Sequence, residues 1–105
     1  MPRKQLKSLT EPMYYILLIL NTPNHGYGIM QRVEEMTGGH VKIGAGTLYT
    51  LLSRFEKEGI IKALAEEDRK KNYVITDKGK EILEEEFLRL NRLVTDGEGI
   101  LKGGQ

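Results

Sequence analysis

The chain has no cysteine and no tryptophan, and only three prolines and two phenylalanines among 105 residues. Without thiols there can be no disulfide, no thiolate metal site and no cysteine nucleophile. A cysteine-free chain suits a reducing compartment, and the cytoplasm is the expected location. Long apolar runs are also missing. The longest, Met13 to Leu20, falls far short of the ~20 residues that a bilayer-spanning helix needs, so no membrane partner is expected. No apolar segment directly follows the first basic residues, so no secretory leader is expected. Two histidines make a poor metal site, and "GAG" at 44–46 is too short to cradle a phosphate as a glycine-rich loop does. No nucleophile, base and orienting residue stand at a usable spacing. Catalysis, a metal and a cofactor are therefore not expected.

What is present points to one soluble domain. Hydrophobic residues make up 39% and charged residues 30%, a balance typical of globular proteins. The net charge of +1 selects no partner, but its distribution is uneven. The basic excess lies in residues 1–76, and the last quarter is acidic. "RKQLK" opens the chain as a basic arm, residues 1–9, whose Arg3, Lys4 and Lys7 read either as DNA-following groups or as a solubilising tail.

Thr10, Glu11 and Pro12 form a helix-start signature, and "MYYILLIL" then predicts a central buried helix running to about Asn21. "NTPNHG" breaks it. A second helix is expected from about His25, with Ile29, Met30 and Val33 facing inward and Met36 or Tyr27 completing the stripe. "TGG" ends it.

The stretch "GAGTLYTLLSRFEKEG" predicts a third helix over 44–58. Leu48, Leu51, Leu52 and Phe55 cluster on one side at 100° per residue. Thr50, Ser53 and Lys57 point away, with Thr47, Tyr49 and Arg54 at the edges. Gly59 closes the helix as a C′ glycine. Two β-type runs follow, "IIKALAE" and "NYVIT", joined by "EDRKK", which predicts a two-stranded hairpin without the Asn-Gly turn signature. Thr76 then caps a fourth helix over 77–95. Its Gly79 is unfavourable in a helix and marks a close approach by another element. Leu83, Phe87, Leu90 and Val94 recur at 4, 3 and 4, the spacing of a paired-helix seam; packing on the protein's own first helix is the alternative. "EILEEE" reads as a solvated acidic face. Residues 96–105 read as a flexible tail.

The order helix, helix, helix, strand, charged turn, strand, helix describes a mainly α fold with a small β-hairpin. It is a winged helix-turn-helix domain, residues 10–76, plus a C-terminal dimerisation helix. In such a domain the second helix of the pair enters the major groove. Thr, Ser, Tyr and Arg on the outer face of 44–58 suit base edges and phosphates. The candidate DNA-binding residues are therefore Lys42, Thr47, Tyr49, Thr50, Ser53 and Arg54, with Arg69, Lys70 and Lys71 on the wing, 66–71. Several have a plainer reading. Tyr49 can support the core, Arg54 can pair with Glu58, and the wing cations can balance Glu66, Glu67 and Asp68. The alternative function is a winged helix that contacts protein and not DNA.

Three motifs, "HGYGI", "GTLYTLLSRFEKEGII" and "RKKNYVITDKG", resemble the PadR family of bacterial transcriptional regulators over roughly residues 10–95. Where the family often has Ser-Pro-Gly this chain has Gly44-Ala45-Gly46, and Phe55 replaces a frequent Leu. The resemblance implies a homodimeric repressor that binds double-stranded DNA at an inverted-repeat operator. It implies the short-chain branch, in which a single C-terminal helix carries Leu83, Phe87, Leu90 and Val94 for dimerisation. It also allows for a small-molecule inducer, not identified by the sequence. Short members of the family hold flat aromatic compounds between subunits, but this chain has no Trp to stack on one, and Tyr14, Tyr15 and Phe87 read as core-filling.

Overall fold

Thr10 caps α1 (Glu11–Ile19), its hydroxyl accepting the Met13 N–H at 3.4 Å. In the computed structural model residues 8–103 are described, so Arg3, Lys4 and Lys7 lie outside the described residues. α1 stops two residues short of Asn21. Ile16, Leu17 and Leu20 are fully enclosed, as a helix apolar nearly all round requires. Leu9, assigned to the basic arm by sequence, is buried in the same core.

His25 caps α2 (Gly26–Met36), its Nδ1 accepting the Gly28 N–H at 3.2 Å. Ile29 and Val33 face inward. Neither Met36 nor Tyr27 completes the stripe, because both are exposed. Gly26 takes the inward position instead, where the ring of Tyr49 lies against the backbone and would have to shift to admit a side chain.

α3 (Ala45–Lys57) buries Leu48, Leu52 and Phe55 as expected, while Leu51, the fourth residue of the expected stripe, is only partly buried. It ends at Gly59, whose φ of 76° lets its own N–H bond Glu56 O and the Ile60 N–H bond Phe55 O at 2.8 Å.

The sheet has three strands, not the expected two. β2 (Ile61–Ala63) and β3 (Asn72–Ile75) form the hairpin, and β1 (Asn24–His25) adds to the other edge of β3. All pairs are antiparallel, with Ile61 opposite Ile75 and Asn24 opposite Tyr73. A two-residue strand has no periodicity to read, so β1 is invisible in sequence. The wing turn is tight although it lacks Asn-Gly. Asp68 and Arg69 hold φ of 51° and 63° between Glu67 and Lys70, whose backbones exchange hydrogen bonds of 2.8 and 3.1 Å. Two central residues with φ > 0 are the mark of a type I′ hairpin.

α4 (Asp77–Leu101) is longer than expected and includes most of the predicted tail. Gly97 and Gly99 each cost about 1 kcal/mol against alanine, but no proline interrupts the backbone bonds, and Glu98 pairs with Lys102 one turn on at 3.9 Å. Leu83, expected in a dimer seam, lies in the core of the protomer. Glu86 departs from the solvated acidic face: it is 5% exposed and receives Arg89 at 2.6 and 3.0 Å. That bond, with help from the Leu9 N–H, holds its carboxyl below the usual range against the opposing effect of burial. The reason is the turn of the helix, which swings the last acid of the run under residues 8–10.

The start of α4 is bolted to the end of α3. The Thr76 hydroxyl donates to Gly59 O at 2.7 Å and Ile60 O at 2.9 Å, and Lys78 donates to Glu58 O at 2.8 Å. A Cβ on Gly79 would fall on Ile60 O and the Ile75 side chain, which is the close approach the sequence suggests. Gly79→Ala should therefore lower the melting temperature by roughly 5–20 °C, the clash outweighing alanine's better helix propensity. A thermal melt at or above wild type would mean that the segment at Ile60 moves aside freely.

Candidate nucleic-acid interface

The outer face of α3 and the wing lie on either side of one surface. Thr47, Thr50, Ser53 and Lys57 are exposed, and the hydroxyls of the first three have no hydrogen-bond partner among the described residues. Gly44 caps α3 without a side-chain bond, so the amides of the first turn are left for solvent or a guest. The inner stripe sets this orientation, because burying Leu48, Leu52 and Phe55 turns the hydroxyl face outward.

The other predicted residues divide. Arg54 donates from Nε to Glu58 at 3.0 Å, the plain one-turn pair. Lys42 stands 3.8 Å from Glu34, both exposed, a pair worth about 1 kcal/mol at most. Lys71 is 4.0 Å from Glu56 and 5.7 Å over the ring of Tyr73. Arg69 and Lys70 have no side-chain partner among the described residues. Among the described residues none of the wing cations pairs directly with Glu66, Glu67 or Asp68. Tyr49 is half exposed, with its ring on Gly26, and shares an open cleft of about 210 Å³ with Tyr27 and the wing cations.

On α4, Phe87 is 55% exposed, and Leu93, Val94, Ile100 and Leu101 are exposed as well. With partly buried Leu90 they fall within about 140° of the helix circumference. Leu93, Ile100 and Leu101 were not singled out by the 4-3-4 spacing, because a paired face is wider than its central seam. Tyr14 and Tyr15 meet edge to face at 6.1 Å and line a second open cavity of about 310 Å³ with Leu9, Glu86 and Leu90. Burial and the charges of Tyr15 and Glu86 push the Tyr14 hydroxyl up. Among the described residues no three metal-ligating side chains are grouped. None of the helices there is long and apolar enough to cross a membrane.

A helix pair presenting a hydroxyl-rich second helix, followed by a basic hairpin, defines a winged helix-turn-helix protein. The Transcriptional regulator PadR-like family matches residues 16–85, and the chain belongs to that family. Its structure is similar to a transcriptional regulator from Clostridium thermocellum, with TM-score 0.74, 26% identity, and 85% of this chain and 91% of that one covered. A PadR-like transcriptional regulator from Bacillus cereus gives TM-score 0.72 and 29% identity over 85% and 89%. An uncharacterized 37.1 kDa protein in transposon TN4556 of Streptomyces fradiae is 32% identical over 81 residues, 77% of this chain; the chain spans only 23% of that relative's length. The family and these structural neighbours are transcriptional regulators and not enzymes.

Proposed function

We propose that the protein is a homodimeric repressor that binds an inverted-repeat operator in double-stranded DNA, through α3 and the wing. The carrying observation is the outer face of α3. The hydroxyls of Thr47, Thr50 and Ser53 are exposed and unpartnered among the described residues, and two wing cations are unpaired as well. Hydroxyls serve base edges, and cations displace counterions from phosphates. The apolar face of α4 supports dimerisation: two copies paired there present two α3 helices to two half-sites. DNA as partner places the protein in the cytoplasm. A small-molecule inducer would find space in the cavity beside Tyr14, Tyr15 and Leu90, next to the pairing face.

Selection of bound genomic fragments tests this reading, since the recovered sites report operator and symmetry together. Recovery of unrelated sequences without inverted symmetry would count against it. On the recovered operator, Thr50→Ala should cost about 1–3 kcal/mol relative to random DNA if its hydroxyl reads a base. Equal loss on both DNAs would make Thr50 a phosphate contact. Arg54 is a weaker candidate because its Nε is already held by Glu58.

A further inference from the structure

The cleft between α2, α3 and the wing gathers residues from three separate parts of the chain. Tyr27 comes from the first turn of α2, Tyr49 from α3, and Arg69 and Lys70 from the turn of the hairpin. Tyr27 is 63% exposed, far from the core role its spacing suggests. Among the described residues none of these four side chains has a hydrogen-bond or ion-pair partner. They do not pair with one another either: no hydrogen bond joins the phenols to the cations, so all four side chains keep their donors free for a guest. No carboxylate lines the cleft, and the His25 Nδ1 is already occupied by the Gly28 N–H. The space therefore calls for an anion with several acceptor oxygens.

We infer that this cleft holds one phosphodiester of the DNA backbone, gripped by the hydroxyls of Tyr27 and Tyr49 together with Arg69 and Lys70. The inference rests on the DNA-binding reading above and adds to it a phosphate subsite and a contact residue, Tyr27. The occupant is a backbone phosphate and not a free one because the cleft opens between the helix and the wing that flank the duplex in that reading. Gly26 makes the site possible: any larger residue there would displace the Tyr49 ring. A clamp between α2, α3 and the wing would fix the depth of α3 in the groove without reading sequence.

The test uses the full chain and a 30-base-pair duplex of random sequence, since a backbone contact is blind to sequence. Tyr27→Phe and Tyr49→Phe remove one oxygen each and keep the ring. Each should weaken binding by roughly ten- to a hundredfold, as loss of a hydrogen bond to a charged group does. The dependence of log affinity on log salt should stay at the wild-type slope, because a hydroxyl displaces no counterion. Arg69→Gly with Lys70→Ala should flatten that slope. Wild-type affinity in both phenylalanine variants, with the wing variant still weakened, would overturn the clamp and leave the DNA reading standing. A wild-type protein that fails to bind the duplex at any salt would overturn both. Saturable competition by millimolar inorganic phosphate at matched ionic strength, lost in Tyr27→Phe, would assign the cleft to a free phosphate and refute the backbone assignment.

Discussion

The wild type should sediment as a dimer, and the double variant Phe87→Glu, Leu90→Glu as a monomer. In a pair formed through α4, both positions sit in the apolar face, so each dimer would bury four new carboxylates. Burying unpaired charge costs far more than the seam gains from a few apolar side chains. The fold itself should survive, because Phe87 is 55% exposed in the protomer and Leu90 is only partly buried. Operator affinity should fall by roughly a hundredfold or more, since two linked half-site contacts become two independent ones. A dimer that persists in the double variant, with unchanged melting, would move the interface off α4. Leu83 would be the wrong residue for this test. It lies in the protomer core, and changing it would unfold the protein without probing the interface.

Removing the wing charges should produce the second large effect. Arg69→Gly, Lys70→Ala and Lys71→Ala together should weaken binding to operator and random DNA alike, by roughly a hundredfold in a dimer. The salt slope should flatten by about 0.9 for each phosphate that the wing no longer neutralises. Glycine is the choice at 69 because Arg69 holds φ of 63°, which glycine adopts without strain, so the turn should tighten and not loosen. Lys71 pairs at 4.0 Å with Glu56 on an exposed surface, a contribution of about 1 kcal/mol or less to stability. A wild-type salt slope in the folded triple variant would exclude the wing from phosphate contact.

The periodic elements were legible in the residues. Leu48, Leu52 and Phe55 declared the inward face of α3, and the outward hydroxyl face followed from it. Thr10, Thr76 and Gly59 declared three helix boundaries, because caps act within a few residues of backbone. The oddly placed Gly79 declared a close neighbour, and the Ile60 carbonyl is that neighbour. Each of these signals is local, decided by a helical turn, by φ, or by one hydrogen bond.

The structure decided whatever depends on residues distant in the chain. The two-residue β1 exists only because β3 offers it an edge. Glu86 is buried because α4 carries it beneath Leu9, and Leu83 belongs to the core for the same packing reason. Tyr27 is one of two residues, with Met36, that spacing offers to the inward stripe, yet Gly26 takes the inner place and the tyrosine turns to the cleft beside Tyr49 and the wing. By itself the sequence determined a winged helix-turn-helix with a hydroxyl-faced third helix, since those features rest on short-range periodicity. Which side chains share a cleft, and which apolar residues remain uncovered on α4, was decided by tertiary packing alone, because burial is a property of the surfaces an element meets and not of the element itself.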